Sequence, residues 1–169
     1  MSRSAEKNHV PAGILHSDDR VKYVRPSDIT TGSAHAAKDV ITSFEIPDVA
    51  EKGGTFVLQS ITVLDGDDSG SQIDFHFFRK NPSGGITKDS AIDLTMGELH
   101  DFEYQGSEKI ETGDYYDLAS SQVANKGQIG KVMQCHEKSS SIWCAIVTQG
   151  TPTFANGDDL NLGFGILPS

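Results

Sequence analysis

The sequence lacks the features that mark membrane proteins, nucleic-acid-binding proteins and disulfide-rich proteins. Its longest apolar runs, such as residues 56–58 and 145–147, are far shorter than the about 20 residues of a membrane-spanning helix. The 169 residues include 14 Lys and Arg against 24 Asp and Glu, a net charge of −10 that predicts no binding to nucleic acid or to an anionic membrane. Two cysteines are too few for a disulfide framework. The polar residues 1–8 predict no secretory signal.

Motifs for catalysis and for tight metal binding are also missing. The segment 32–36 contains Ser33 but not the Gly-x-Ser-x-Gly pattern that exposes a nucleophilic serine. The six histidines include no His-x-x-x-His pair for a metal ion. Residues 65–70 begin like a calcium-binding loop, yet the position of the closing glutamate holds His76. We interpret this stretch as an acidic hairpin loop, with ion binding as the alternative. We therefore predict no enzyme, and no catalytic, cofactor-binding or metal-binding residues.

The sequence does have apolar residues at every second position, which is the pattern of half-buried β-strands. In the C-terminal segment, Leu160, Leu162, Phe164 and Ile166 alternate with polar residues and glycine. Alternating or apolar segments of strand length also occur at residues 40–46, 55–64, 72–77 and 142–148. Turn-forming Gly, Asn, Asp and Pro residues separate them, and no helical period lies between them. This pattern predicts an all-β fold, an antiparallel β-sandwich or jelly roll with an extended N-terminal arm.

Three further segments show a possible helix start, a region without a clear pattern, and a possible hairpin between the two cysteines. Thr95 and Glu98 have the spacing of a capping box, which fits a short helix or a turn. Residues 105–130 are too rich in Gly, Ser and Asp to be assigned. Cys135 and Cys144 flank a serine-rich stretch, and a tight turn there would pair their strands as a hairpin and bring the thiols close together. We expect both thiols to stay reduced, because cytosolic assembly keeps buried cysteines free.

Residues 1–37 differ in composition from the rest of the chain. They are polar, contain Pro and Gly, and have one short apolar patch. Such a segment cannot bury enough apolar surface to order itself. We therefore predict an extended N-terminal arm at 1–37 and a β-sandwich (jelly-roll-like) domain at 38–169. The arm is expected to add a strand to the sheet edge of a neighbouring subunit, so that its removal spares the sandwich but weakens binding. The interface residues expected from this interpretation are Val21, Tyr23, Val24 and Arg25.

Several short strings of residues suggest a family. They are Asp-Val-Ile-Thr-Ser-Phe at 39–44, Gly-Gly-Thr-Phe-Val-Leu-Gln-Ser-Ile-Thr-Val-Leu-Asp at 53–65, Ile-Asp-Phe-His-Phe-Phe at 73–78, Ile-Trp-Cys-Ala-Ile-Val-Thr-Gln-Gly-Thr-Pro-Thr at 142–153, and Asp-Leu-Asn-Leu at 159–162. With these strings the chain resembles a group of small virion proteins of tailed bacteriophages, some of which are similar to jelly-roll head-decoration (cement) proteins. The resemblance spans residues 38 to 167 and includes no catalytic signature.

The resemblance implies a capsid decoration protein that binds and stabilises the assembled head shell from the outside. Its implied partners are the major capsid protein and copies of itself, as a homotrimer. It would assemble in the host cytoplasm and then belong to the exterior of the virion capsid. The acidic charge, which keeps a chain soluble before assembly, agrees with this. The alternative is a tail-associated or carbohydrate-binding β-sandwich module of the virion, which would use Tyr115, Tyr116 or the loop at 65–70.

Overall fold

In the computed structural model, which describes residues 20–168, two antiparallel β-sheets pack against each other around one hydrophobic core. The first sheet has the strand order β1-β10-β3-β7-β6, with β8 also paired to β3, and the second has the order β2-β9-β4-β5. A helix, α1 (Met96–Asp101), and one turn of 3₁₀ helix (Thr112–Asp114) lie between strands. The strands are β1 (Val21–Val24), β2 (Val40–Ile46), β3 (Thr55–Asp65), β4 (Ile73–Phe78), β5 (Tyr104–Ile110), β6 (Tyr115–Asp117), β7 (Gln122–Lys126), β8 (Lys131–Gln134), β9 (Ile142–Thr148) and β10 (Leu160–Pro168).

The order of the strands is that of a jelly roll. The chain crosses from one sheet to the other after β1, β2, β3, β5, β8 and β9. As a result β1 lies beside β10 and β2 lies beside β9, so both sheets combine strands from the two ends of the chain. Antiparallel sandwiches wound in this way are jelly rolls. The predicted all-β antiparallel sandwich is confirmed.

The alternating segments form strands because one face of each strand is buried. In β10, Leu160, Leu162, Phe164 and Ile166 are at most 3% exposed. The ring of Phe164 lies 6.1 Å from that of Phe75 on β4 of the second sheet, measured between centroids. The other four predicted strands, at residues 40–46, 55–64, 72–77 and 142–148, are present as β2, β3, β4 and β9.

The capping box at Thr95 is followed by a helix and not by a turn. The Glu98 amide donates to Thr95 Oγ1 at 3.3 Å, and the Thr95 amide donates to Glu98 Oε2 at 2.8 Å. The two residues thus satisfy each other's free backbone donors, and α1 follows directly. Over residues 20–168 no helix is long and apolar enough to cross a membrane.

The part of the predicted arm that the structure describes lies within the jelly roll. β1 pairs with β10 of the same chain, so the strand expected to join a neighbour's sheet is an edge strand of its own. After it, Ile29 is buried in the core and His35 is only 4% exposed. The sandwich therefore starts no later than residue 21, whereas the sequence pattern predicts a start at residue 38. Residues 1–19 of the predicted arm lie outside the described residues.

The hairpin expected between Cys135 and Cys144 is not formed. β8, which ends just before Cys135, pairs with β3 in the first sheet, whereas β9 lies between β2 and β4 in the second. Both cysteines are free, buried and part of the same core. Burial raises the pKa of both thiols, so they stay protonated and poorly reactive.

A cluster of ion pairs joins the two sheets at one edge of the sandwich. Glu108 on β5 contacts Lys126 on β7 at 2.8 Å and Lys131 on β8 at 3.1 Å. The Glu108 side chain is 17% exposed, so water screens these contacts less than those of surface pairs. Burial by itself raises the pKa of Glu108, but the hydrogen bonds and charges of the two lysines outweigh it and hold the pKa below its usual value.

We expect Glu108→Gln to lower the free energy of unfolding by about 1 kcal/mol at neutral pH. Because the pKa of Glu108 is lower in the folded than in the unfolded chain, its contribution is present above the unfolded value of about 4.3 and is lost as the pH falls through the folded value. Urea unfolding at neutral and acidic pH measures this. Glu137→Gln, at a more exposed pair, is the control and should have little effect. A difference that persists unchanged in acid would contradict the electrostatic explanation.

Candidate interaction surface

The exposed apolar side chains of the described residues gather on one side of the molecule. Eight large apolar residues between 20 and 168 are at least 41% exposed, and one of them, Met96, lies on α1. The other seven lie in the first sheet or directly after one of its strands: Val21, Tyr23, Leu64, Tyr116, Leu118, Val132 and Leu167. We call the side of the first sheet that points away from the core the outer face.

The register of the strands arranges the outer face in rows, because residues opposite each other on neighbouring strands share a face. A mainly apolar row near one end of the sheet contains Leu64, Val123 and Tyr116, with Asn161 of β10 opposite Leu64. A second apolar row lies near the other end: Leu167, Val57 and Val132. Two further rows lie between them and contain glycine and uncharged polar residues beside one larger side chain each. The first consists of Tyr23, Gly163, Thr62 and Asn125. The second consists of Val21, Gly165 and Ser60.

The strands present no charged residue on the outer face. They contain five charged residues, and each of these occupies a position that register places on the core side. Those residues are Lys22 opposite Phe164, Asp65 opposite Leu160, Lys126 opposite Ile61, Lys131 opposite Leu58, and Asp117 in the same row as Asp65. Charged side chains make up 22% of the chain. The lack of charged strand residues on the outer face of a six-stranded sheet is therefore a distinct feature of this surface, with Arg25 at its border.

The four residues that the sequence assigns to a partner interface differ in exposure and in their contacts. Val21 and Tyr23 lie on the outer face, 42% and 77% exposed. Val24 is partly buried and packs against the core. Arg25 donates to Asn161 Oδ1 of its own chain at 2.7 Å. Val21 and Tyr23 are thus the two residues that this strand offers on the outer face.

Tyr23 lies over a glycine of the neighbouring strand. A Cβ atom at Gly163 would lie only 3.3 Å from Tyr23 Cε1, so the missing side chain leaves room for the ring. With 77% of the residue exposed, much of the ring faces solvent. Exposed tyrosines that become buried on binding are among the strongest contributors to protein interfaces.

Two shallow cavities open near Leu64, one of them beside the Tyr23 ring. One, of about 360 Å³, is bordered by Tyr23, Arg25 and Leu64. The other, of about 290 Å³, is bordered by Leu64, Leu118 and Asp158. Because Leu64 lines both, the cavities adjoin at the apolar row and give the outer face grooves that a protruding side chain can fill.

The acidic loop at residues 65–70 is closed by its own hydrogen bonds. Asp65 is 3% exposed and accepts hydrogen bonds from the amides of Asp67 at 3.1 Å, Ser69 at 3.1 Å and Gly70 at 3.0 Å, and from the Ser69 hydroxyl at 2.6 Å. Gly70 has a φ of +52°, which favours glycine. The Asp65 carboxylate therefore anchors the loop. Among residues 20–168 no three His, Cys, Asp or Glu side chains are placed to hold a metal ion.

We expect Asp65→Ala to lower the free energy of unfolding by about 2–3 kcal/mol, because it leaves partly buried amides without an acceptor. The exposed Asp93→Ala is the control and should change stability little.

Wild-type protein should melt at the same temperature with EDTA as with calcium, measured by circular dichroism. A rise of many degrees on adding calcium would contradict the expectation that the fold does not need the ion.

The two tyrosines considered for carbohydrate binding differ in exposure. Tyr116 is 70% exposed on the outer face. Tyr115 packs against the core, and burial raises the pKa of its hydroxyl. Only Tyr116 of this pair therefore offers its ring to a partner.

Sequence patterns assign none of the other exposed apolar residues to an interface. The available signal is an apolar residue where an alternating strand calls for a polar one, as at Val57 and Leu64 in β3.

No family model matches the sequence, and no curated protein matches it.

Proposed function

We propose that this chain is a non-enzymatic structural protein that decorates the outside of a bacteriophage head shell. The observation that carries the proposal is the outer face, which is apolar in two of its rows and uncharged along its strands. A large exposed apolar patch is typical of a surface that another protein covers. A fold by itself does not assign a function. The choice of a phage head therefore depends on the resemblance of the short sequence strings.

The proposed partners are the major capsid protein and copies of this chain, and the proposed location is the capsid exterior after assembly in the host cytoplasm. A net charge of −10 keeps the free copies soluble and apart from one another. The strand residues of the outer face carry none of this charge, which favours this face for close contact with other chains.

The proposal is tested with heads of a tailed phage that encodes this chain, prepared without it. Purified protein should sediment with these heads in a saturable amount and should raise the temperature at which they open. Heads that already carry the protein are the matched control and should bind no more. Failure to bind the bare heads would reject the proposed function.

A tail-associated or carbohydrate-binding module is the second candidate, favoured by Tyr23 and Tyr116 on the outer face. Aromatic rings with one open side can stack on sugars. Binding of the chain to host-cell polysaccharide, abolished by Tyr23→Ala or Tyr116→Ala, would support this candidate over head decoration.

A further inference from the structure

We infer that the outer face binds the outer face of a second copy of this chain, which forms a symmetric pair. The inference rests on the proposed function, which it deepens by naming the chain that covers this face. It puts a pair in place of the homotrimer that the family resemblance implies, and it leaves the head shell to another surface of that pair. Its basis is the contrast between the strongly acidic chain and the uncharged strand residues on one side of the sandwich.

Charge favours a second copy over a basic partner. A chain with 24 Asp and Glu can readily place carboxylates opposite a basic surface, and such complementary charges speed and direct association. The five charged strand residues of the first sheet instead occupy core-side positions. A second copy has the same net charge of −10, so like charges directly opposite each other would repel. Outer-face strand residues without charge suit contact between two such copies, and Arg25, which borders this face, is paired with Asp158 of its own chain at 3.5 Å.

The arrangement of the rows suits contact of the face with itself. In a symmetric pair the same patch contributes from both chains, and the two-fold axis lies in the plane of contact. If the axis runs along the strands, each apolar row meets its own equivalent. If it runs across them, the row with Leu64 and Tyr116 meets the row with Val57 and Val132. In either case a mainly apolar row of one copy lies against a mainly apolar row of the other, with Asn161 at the β10 end of the Leu64 row, while Gly163 and Gly165 reduce the bulk of the rows between them.

The size of the face is comparable to that of a standard interface. Five strands about 4.8 Å apart make the sheet about 20 Å wide. The 11 residues of β3, at about 3.3 Å each, make it about 35 Å long at its longest strand. The outline is thus at most about 700 Å², close to the about 800 Å² that a standard interface buries on each partner.

Analytical ultracentrifugation of the full chain over a dilution series tests the inference. Wild type should have twice the mass of the 18.2 kDa chain at high concentration and should dissociate on dilution. Tyr116→Glu and Val132→Glu each place a charge in an apolar row, at positions that are 70% exposed and so tolerate it in the single chain. Both variants should dimerise at least about 100-fold more weakly, which corresponds to about 2.7 kcal/mol.

Met96→Glu is the matched control, because Met96 is 81% exposed but lies on α1 away from the outer face. It should dimerise like wild type, and all variants should keep the wild-type melting temperature when dilute. A wild-type mass of one chain or of three chains would overturn the symmetric pair, as would charged variants that dimerise normally. Binding to bare heads distinguishes failure of this inference from failure of the proposed function. If the protein is a monomer that binds the heads, only this inference is wrong. If it forms a pair that does not bind the heads, only the proposed function is wrong.

Discussion

Phe164→Ala is expected to lower the free energy of unfolding by about 3–5 kcal/mol, the range for a large buried aromatic residue. Phe164 on β10 is fully buried, and its ring lies 6.1 Å from that of Phe75 and 6.4 Å from that of Phe77, both on β4. It also lies 6.2 Å from Phe44 on β2. The ring thus fills the space between the two sheets. Its removal leaves a cavity that neighbours on rigid strands cannot collapse into.

Urea unfolding followed by tryptophan fluorescence measures this loss, with Trp143 as the single tryptophan. Phe164→Leu keeps most of the volume and should cost clearly less than alanine. Met96→Ala, at an exposed position on α1, is the surface control. Equal costs for Phe164→Ala and Met96→Ala would mean that the core does not depend on this ring, contrary to the packing described.

The strands that could be predicted from the sequence are those with one buried and one open face. β10 and β4 alternate cleanly because their core-facing residues are apolar and their neighbours are small or polar, as with Ile73, Phe75 and Phe77 in β4. The capping box before α1 could be predicted for a similar reason, since its partners are only three residues apart. In both cases the physical cause lies within a single segment.

The strands that were missed carry polar residues on the side that faces inward. In β1 the outward Val21 and Tyr23 are apolar, whereas Lys22 lies opposite Phe164 on the core side. In β5 the inward Glu108 is paired with lysines from the first sheet. Edge strands can place long charged side chains at the border of the core, with the charged end reaching water or a partner. In β1 the alternation is inverted, with the apolar residues outward, so the sequence pattern predicts an arm there instead of a core strand.

The hairpin between the cysteines could not be judged from local sequence. Consecutive strands in a jelly roll often belong to different sheets, and the turn after Cys135 carries the chain across the core to β9. The absence of charged strand residues from the outer face could not be judged from local sequence either. It becomes visible only when register shows that Lys126 and Lys131 lie on the core side, and register depends on strands far apart in sequence.

A chain that starts at Lys38 is expected to be at least about 3 kcal/mol less stable than one that starts at Arg20. The shorter chain loses β1, which covers the edge of β10, and loses Ile29 from the core. It also loses His35, whose amide donates to the Pro152 carbonyl at 2.9 Å. Thermal and urea unfolding of the two chains measure the difference, with the full chain as reference. The arm interpretation leads to the opposite expectation, a truncated sandwich of unchanged stability that only binds its partner poorly. Equal stability of the two truncated chains would therefore restore the arm and contradict the place of β1 as a structural strand of the jelly roll.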